Sequence, residues 1–292
     1  MKTVAPTWPL APELRRRVSV RWPERYEWPI ADRWVGTLRR HLAAAVPLTT
    51  HDIPQTYEGV VAFELELDGR RQEVAIDYFD RDRLLDEVAR RFPLVFKMQF
   101  SVAGYGQSHV IPGGYVPAHR SLYRYLPGLR AAQDAIPPRI DVYGRFTLAG
   151  ASEVRRTAVT TLREQHRFGY EGSLVVRPYP TFLREAALSR VCIDLPGNGD
   201  LCHRLIDYLG IGCVVVRPQA LTRLHVELTD GLDIRYADDL GDGLVSVCGQ
   251  LVDDDECRRA QSAAARAFYD RYLTPSQLAG YYLDACLRQL ED

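Results

Sequence analysis

The pattern of hydrophobic and polar positions in the first part of the chain predicts strands. The segment "GVVAFELEL" (59–67) alternates apolar and acidic residues, as a half-buried strand does. The following "LDGRR" is typical of a hairpin turn and leads to a second predicted strand, "EVAIDYF" (73–79). After a helical pattern at 80–92, the segment "PLVFKMQF" (93–100) again indicates a strand.

Strands and helices alternate in the second part of the chain. The apolar segments "RIDVYGRF" (139–146), "RVCIDL" (190–195) and "CVVV" (213–216) predict buried strands. Helical patterns lie at 152–165, 179–189, 200–210, 238–252, 253–273 and 274–291. This alternation indicates a doubly wound parallel sheet, in which ligands bind beyond the carboxyl ends of the strands.

The first fifty residues contain all four tryptophans, and three of them are followed directly by proline. They are Trp8, Trp22, Trp28 and Trp34. Proline restrains the preceding residue to extended geometry, so the first thirty residues are predicted to form an extended strap before a helix at 31–46. The indole rings either fasten the strap to the body of the protein or form an aromatic platform for an acceptor molecule.

These patterns divide the chain into three parts. Residues 1–50 form the tryptophan-rich strap and helix, residues 51–135 an α/β domain, and residues 136–292 a Rossmann-like domain. The boundary between the last two is predicted in segment 126–139, which is rich in proline and glycine.

Composition and charge exclude several classes of protein. The chain has 292 residues, 46% hydrophobic and 26% charged, and a net charge of −1, so no overall field attracts nucleic acid or an anionic membrane. No apolar run approaches the ~18 residues of a membrane span. Prolines interrupt the start where a signal peptide has its apolar run, and the six cysteines contain no CxxC pair. We therefore expect a cytoplasmic protein.

The most informative segment is the turn "LPGNGDLCHR" (195–204), between a predicted strand and a predicted helix. Gly197, Asn198 and Gly199 allow backbone N–H groups to approach a ligand, and the start of a helix carries partial positive charge. Arg204 adds a guanidinium group, which binds phosphate oxygens in pairs. The alternative is a merely tight turn with a solvated arginine. The spacing lacks the third glycine of a dinucleotide site and the Gly-Lys-Ser/Thr of a P-loop, which disfavours an NAD-linked oxidoreductase and an ATPase.

Arg145 follows the predicted strand 139–144 and is expected at the same edge of the sheet as Arg204. Two guanidinium groups at one edge would converge on one anionic ligand, and a salt bridge is the alternative for Arg145. Asp200 is predicted to cap the helix that follows it, because a carboxylate repels phosphate.

Taken together, "DVYGR" (141–145), "LCHRL" (201–205) and "LGIGCVVV" (209–216) resemble, in order and spacing, the donor-binding half of GT-B glycosyltransferases. The likeness is to the group of fucosyltransferases, exostosin-like enzymes and protein O-glucosyltransferases, and it covers about residues 139–290. It implies a GT-B-like α/β fold with two Rossmann-like domains and a cleft between them. It also implies a nucleotide-sugar donor as co-substrate, with no required metal and no other cofactor.

The resemblance implies roles for individual residues of the second part. Arg145 and Arg204 would neutralise the donor diphosphate. His203 stands where the group has a glutamate that binds the nucleoside ribose, and Tyr179 and the pair Ser189–Arg190 are expected near the donor cleft.

The first part would then be the acceptor domain, and an inverting reaction requires a base there. His51 followed by Asp52 is the first candidate, against an ordinary polar loop, and Asp77 at the end of its predicted strand is the second. Lys97 either meets the donor phosphate or pairs with an acidic neighbour. The Asp-x-Asp string at 80–82 matches a metal motif, but it opens a predicted helix, so no metal site is expected.

The resemblance therefore implies a metal-independent hexosyl- or deoxyhexosyltransferase. It would move a sugar from a nucleoside diphosphate sugar to a hydroxyl group of a small-molecule or glycan acceptor, with no nucleic-acid partner. The alternative is a catalytically inactive, transferase-like protein that binds a glycan or another partner. The oligomeric state is left open.

Overall fold

The computed structural model describes residues 11–148 and 150–291. They form two compact units. The first unit comprises the described residues up to Val116, Thr222–Glu227 and the residues from Arg271 onward, and the second comprises Pro117–Leu221 and Leu228–Asp270. Trp8 and the first ten positions of the predicted strap lie outside the described residues.

The helices of the described residues are α1 (Pro12–Arg17), α2 (Ala31–Ala45), α3 (Asp86–Arg91), α4 (Leu122–Ala135), α5 (Ser152–Glu164), α6 (Tyr179–Ala187), α7 (His203–Ile211), α8 (Asp242–Asp253), α9 (Asp255–Tyr272) and α10 (Pro275–Glu291). The strands are β1 (Val18–Pro23), β2 (Leu48–His51), β3 (Val60–Leu67), β4 (Arg70–Asp77), β5 (Val95–Lys97), β6 (Phe100–Ser101), β7 (Val110–Pro112), β8 (Ile140–Arg145), β9 (Tyr170–Ser173), β10 (Ser189–Ile193), β11 (Val215–Pro218), β12 (Thr222–Arg223) and β13 (Arg235–Ala237).

The first unit is built on a six-stranded mixed sheet with the order β2-β1-β3-β4-β5-β7. Strand β3 runs antiparallel to its neighbours β1 and β4, and the other pairs are parallel. Five strands therefore end at the same edge of the sheet, and β3 ends at the opposite edge.

Helices cover both faces of this sheet. One face packs on α3 through Val88, Ala89 and Phe92. On the other face, Phe96 of β5 stacks on Tyr282 of α10 with ring centroids 3.9 Å apart. Helix α2 buries Val35, Leu38 and Leu42, which recur every three or four residues along one side.

The second unit contains the doubly wound parallel sheet, and this confirms the α/β fold class predicted from the sequence. Its five strands, in the order β13-β11-β10-β8-β9, are all parallel. One face packs on α5 and α8 in a core that includes Val142, Ile193 and Leu244. The other face packs on α6 and α7, where Phe182 stacks on Tyr208 with centroids 5.6 Å apart.

The units differ from the predicted domains at the boundary near 126–139, at Thr222–Glu227 and at the last helix. The proline- and glycine-rich segment 126–139 lies largely within α4, which continues through Pro127 to Ala135. Helix α10 belongs to the first unit because its aromatic side chains pack on β5 and because Tyr281 and Tyr282 donate hydrogen bonds to the carbonyls of Pro112 and Gly113.

The predicted strap forms a short helix, α1, and then strand β1. Two of the described tryptophans pack on side chains of the first unit: Trp22 of β1 is fully buried and stacks on Phe63, and Trp34 of α2 contacts Tyr78 and Tyr115. These contacts support the interpretation that the indole rings fasten this segment to the body.

Across residues 11–148 and 150–291, no helix has the length and the apolar character that crossing a membrane requires.

Candidate functional site

Two loops meet at the carboxyl edge of the sheet in the second unit. One follows β8 and leads to α5, and the other is the glycine turn that follows β10 and leads to α7. They touch at Gly150 and Asn198: a methyl group on Gly150 would lie 2.6 Å from the backbone nitrogen of Asn198. Gly150 also has a φ of +66°, which favours glycine. Both loops lead into helices whose amino ends lie at this edge of the sheet, where the partial positive charge of a helix start favours an anion.

Two arginines lie behind this junction. Arg155 of α5 is buried and donates hydrogen bonds to the carbonyls of Pro196 (2.9 Å) and Thr147 (2.7 Å), so it holds both loops. Arg204 of α7 donates to Asp194 (3.2 Å) and to the carbonyl of Leu195 (2.7 Å). Burial and then the positive charge of Arg204 lower the pKa of Arg155. The positive charges of Arg155 and Arg204 therefore act on each other behind the junction.

Asp194 is the carboxylate that stabilises Arg204. Asp194 directly follows β10 and is fully buried. It also lies 3.7 Å from Arg217 of β11. Burial, the largest single influence, lowers the pKa of Arg204, but the attraction and the hydrogen bond of Asp194 together with Cys202 and Tyr208 raise it above its ordinary value. Arg204 therefore remains a cation at any physiological pH, with only 13% of its side chain exposed.

The prediction that Asp200 caps the helix is wrong. Helix α7 starts at His203 with Cys202 at the capping position and no side-chain cap. Asp200 instead accepts hydrogen bonds from Arg217 (2.7 Å) and from the backbone N–H of Leu221 (2.9 Å). Its negative charge is thus compensated, which reduces the repulsion that it would exert on a phosphate group.

Arg145 lies at the carboxyl end of β8, as predicted, on the side of the edge strand β9. Its guanidinium group donates to Glu185 of α6 (2.8 Å), to Glu171 (2.5 Å) and to Ser173 (3.0 Å). The carboxylates fill the fork of this arginine, so a phosphate group would have to share or displace them. A ligand role for Arg145 and Arg204 stays a prediction.

Tyr179 and His203 begin the two helices on the other face of the sheet. The hydroxyl of Tyr179 donates to the carboxylate of Asp207 (2.8 Å), which also accepts from the N–H of Ala118 (3.2 Å). Burial raises the pKa of Asp207 to about 8. His203 is half-buried at the first position of α7, beside Arg204. A nucleoside contact of Tyr179 or His203 stays a prediction.

In the first unit, Asp77 and Lys97 bind each other. They end the neighbouring parallel strands β4 and β5, and Lys97 Nζ lies 2.9 Å from Asp77 Oδ1. The side chain of Lys97 is 0% exposed, and that of Asp77 is 3% exposed. Of the two interpretations of Lys97, the structure shows pairing with an acidic neighbour, and this burial argues against direct contact of either residue with a substrate.

His51 and Asp52 lie at the end of the edge strand β2. His51 Nδ1 lies 3.2 Å from the guanidinium of Arg21, and Nε2 lies 2.8 Å from the hydroxyl of Thr49. Because Arg21 can only donate, Nδ1 accepts and the ring proton is on Nε2. This leaves the exposed Asp52 as the better placed base of the two. Strands β2 and β4 are three positions apart in the sheet, about 14 Å, so His51 and Asp77 belong to different places.

The expectation that Ser189 and Arg190 lie near the donor site is wrong. They begin β10, at the amino edge of the sheet, whereas the glycine turn follows its carboxyl end. Ser189 donates to the carbonyl of Glu185, and Arg190 pairs with Asp141 at 3.3 Å.

Sequence reasoning missed the residues that hold the junction together, Gly150, Arg155 and Asp194. Gly150 follows a strand as Gly197 does, and that parallel was the available signal. Arg155 lies within an ordinary helical pattern, so nothing in the sequence distinguishes it from a solvated arginine.

The Asp-x-Asp string at 80–82 does not open a helix, because α3 begins at Asp86. Asp80 accepts a hydrogen bond from Gln99 at 2.9 Å. Within the part of the chain that the structure describes, no group of three or more histidine, cysteine or acidic side chains is arranged to hold a metal ion.

The chain was compared with protein families and known proteins. No family model and no curated protein sequence matches it. Among solved structures, it is similar to a glycosyltransferase from Rickettsia africae, with 10% identity and a TM-score of 0.46 over 68% of this chain and 64% of that one. It is also similar to HepE from Anabaena in complex with UDP and glucose, with 14% identity and a TM-score of 0.43 over 68% and 65%.

A third solved structure is the C-terminal domain of LpcC, a glycosyl transferase group 1 family protein from Francisella tularensis. It has 11% identity and a TM-score of 0.33, over 53% of this chain and 93% of that one. The chain spans less than two thirds of the length of the first two structures. These solved structures include glycosyltransferases, the class that the sequence resembles, and the likenesses are too distant for any residue's role to be carried to this chain.

Proposed function

We propose that this protein is a glycosyltransferase that uses a nucleoside diphosphate sugar and transfers its sugar to a hydroxyl group of a small-molecule or glycan acceptor. The observation that carries the proposal is the junction of Gly150 and Asn198, where the loops that lead into α5 and α7 touch in front of Arg155 and Arg204. The resemblance of the sequence to donor-binding domains supports the same place.

The donor diphosphate would lie on the glycine turn. Gly197, Asn198 and Gly199 would present the backbone, with the exposed Asn198 nearest to the ligand. Arg204 and Arg145 would supply positive charge from the two sides, and Tyr179 and His203 would contact the nucleoside. An anion here would be attracted by the positive charges of Arg155 and Arg204.

The leaving diphosphate would be stabilised by fixed charges of the protein. Arg204 is held by Asp194 and Arg155 by two backbone carbonyls, so neither has to reorganise when negative charge develops in the transition state. Guanidinium groups and helix ends can replace a metal ion in this role, and we therefore propose that transfer continues in a chelator. Complete loss of transfer with EDTA and its return with Mn²⁺ would count against this part of the proposal.

On the acceptor side, the base would take the proton of the attacking hydroxyl group. Asp52 is the proposed base, with His51 beside it, because Asp52 is exposed and the Nδ1 atom of His51 faces Arg21. A retaining reaction would need no such base.

Binding of nucleoside diphosphates tests the proposal directly. Calorimetry with UDP, GDP and dTDP should find saturable binding of at least one of them. Asn198→Asp places a negative charge at the turn and should weaken that binding about tenfold or more, whereas the neutral Asn198→Ser should change it little. Thr160→Asp adds the same charge at an exposed position two turns into α5 and is the matched control. Absence of binding by all three nucleotides, or equal effects of the two aspartates, would contradict the proposal.

The second candidate function is a transferase-like protein that binds a glycan or another partner without catalysis. One observation favours it. Arg145 donates hydrogen bonds to Glu171 and Glu185, and Arg204 donates to Asp194, so the positive charges of both arginines are balanced without a ligand. Glycan binding that persists without any nucleotide binding or sugar transfer would support this second function.

A further inference from the structure

A pocket lies in the second unit at the amino edge of the parallel sheet, opposite the edge that carries the glycine turn. It has a volume of about 520 Å³, within the range of small-molecule sites. Its walls are the residues that precede β8 and β11, the first residues of β10 and one side of α9. Along α9, the lining residues include Asp255, Arg258, Arg259, Ser262 and Arg266 at helical spacing.

The lining of this pocket is cationic. Four arginines, Arg190, Arg258, Arg259 and Arg266, line it together with two carboxylates, Asp134 and Asp255. Arg266 pairs with Asp134 (2.8 Å), and Arg258 pairs with Asp255. Asp141, which is not part of the lining, pairs with Arg190 at 3.3 Å, so the four arginines and these three carboxylates leave a formal excess of one positive charge.

Arg258 and Arg190 repel each other across the pocket. Arg258 is buried and donates to the carbonyls of Leu251 and Val252 at the end of α8, which fixes its guanidinium group. Burial lowers the pKa of Arg258, and the positive charge of Arg190 lowers it further. Arg190 has an acidic partner, Asp141, but both side chains are more than a third exposed, so this pairing is screened by solvent. A bound anion would relieve the repulsion.

The remaining wall is apolar and leaves room beyond the arginines. Ile136, Pro137, Pro138, Val214 and Ala263 form it. A bare inorganic ion would occupy a small part of about 520 Å³, whereas a molecule with a compact organic body would also cover these apolar side chains.

We propose that this pocket binds a small phosphate monoester, with its phosphate group between Arg190, Arg258 and Arg259 and its organic body against the wall of Ile136 and Val214. A phosphate monoester carries close to two negative charges at neutral pH, and the positive charges of the lining would attract it. Guanidinium groups bind phosphate oxygens in pairs, which selects this group over a single carboxylate. The site is separate from the glycine turn, so the inference does not depend on the proposed glycosyl transfer.

The test is calorimetry and thermal denaturation of the full chain with ribose 5-phosphate, inorganic phosphate and acetate at constant ionic strength. We expect saturable binding of ribose 5-phosphate, weaker binding of inorganic phosphate and little binding of acetate. Arg259→Gln, at an exposed position, should weaken binding of ribose 5-phosphate about tenfold, and Arg190→Gln should do the same. Arg156→Gln removes an exposed arginine of α5 outside this pocket and should have no effect.

Binding at the glycine turn is separated by a further variant. Asn198→Asp should leave binding of ribose 5-phosphate unchanged while it weakens binding of a nucleoside diphosphate. Arg259→Gln keeps the buried arginines intact, and circular dichroism would verify its fold. The proposal is overturned if ribose 5-phosphate does not bind, if acetate binds equally well, or if the folded Arg259→Gln variant binds it as the wild type does.

Discussion

Lys97 and Asp77 form an ion pair of 2.9 Å that solvent does not reach, at the carboxyl ends of two adjacent parallel strands. Burial raises the pKa of Asp77 and lowers that of Lys97, and the charge of each partner opposes the shift of the other. Lys97 also donates to the carbonyl of Phe79, whose own N–H is held by Asp77. The pair thus fixes the chain where β4 ends.

This geometry predicts that the buried carboxylate of Asp77 needs Lys97 as its counter-ion for the protein to keep its stability. Lys97→Met should lower the free energy of unfolding by about 3–5 kcal/mol, because it leaves Asp77 buried without a counter-ion. Lys97→Met combined with Asp77→Asn should lower it much less, since Asn keeps an oxygen that can accept from the N–H of Phe79. Urea unfolding of the two variants measures the difference. Equal losses in the single and the double variant would contradict a buried ion pair.

Asp207 predicts a pH dependence of stability. Its pKa is about 8 in the folded protein and about 4 in the unfolded chain, so the folded state binds one more proton between these values. Stability should therefore fall as the pH rises from about 4 to about 8, by up to about 1.4 kcal/mol per pH unit, and this contribution should level off above pH 8. The groups around the carboxyl group are Tyr179, Tyr123, Tyr269 and the N–H of Ala118, and Arg204 lies on its own helix.

Asp207→Asn removes the titrating group, so this slope should disappear and the variant should be more stable than the wild type at pH 8. Asp238→Asn, at an exposed position of the same unit, is the control and should keep the slope. Urea unfolding at pH 5, 6.5 and 8 measures it. A slope that persists in Asp207→Asn would assign the pH dependence to another group.

Gly150 allows the two loops of the candidate site to touch, because it has no side chain at the point of contact. Gly150→Ala puts a methyl group against the backbone of Asn198 and adds strain at a φ of +66°. Gly231→Ala has a similar strain, at a φ of +76°, but its methyl group would meet nothing within 4 Å. Both variants should lose about 1–2 kcal/mol of stability from the backbone. Only Gly150→Ala should also weaken binding of nucleoside diphosphates in calorimetry, and an equal loss of binding in Gly231→Ala would argue against the junction.

The sequence predicts three of the five strands of the second unit, β8, β10 and β11, because each is a short apolar run close to glycine or proline; the short polar strands β9 and β13 were not predicted. The predicted strand 190–195 lies within one or two residues of β10, and 139–146 contains β8. Helix α4 was not predicted, because Pro127 and Gly128 suggested a linker. The helix nevertheless continues through both residues.

Side-chain partners were harder to predict than elements. Asp200 pairs with Arg217, which is 17 residues away, because β10 and β11 are neighbours in the sheet. The sequence places Arg204 at the correct edge, but the buried carboxylate that holds it, Asp194, lies inside an apolar run and gives no signal of its own. Patterns of hydrophobic residues specify which elements form, whereas the partners of buried charges follow from the order of the strands.

Variants of Arg204 and its partner Asp194 can distinguish a structural role of this arginine from a role in binding phosphate. Arg204→Gln should lower both stability and binding of nucleoside diphosphates, because it removes the phosphate contact and leaves Asp194 with the more distant Arg217 at 3.7 Å. Arg204→Gln combined with Asp194→Asn removes both charges and should recover most of the stability. If Arg204 binds the diphosphate, the double variant should still bind it at least about tenfold more weakly than the wild type, and transfer should be slower by about 10²-fold or more. Recovery of both stability and binding in the double variant would show that Arg204 serves only to neutralise Asp194.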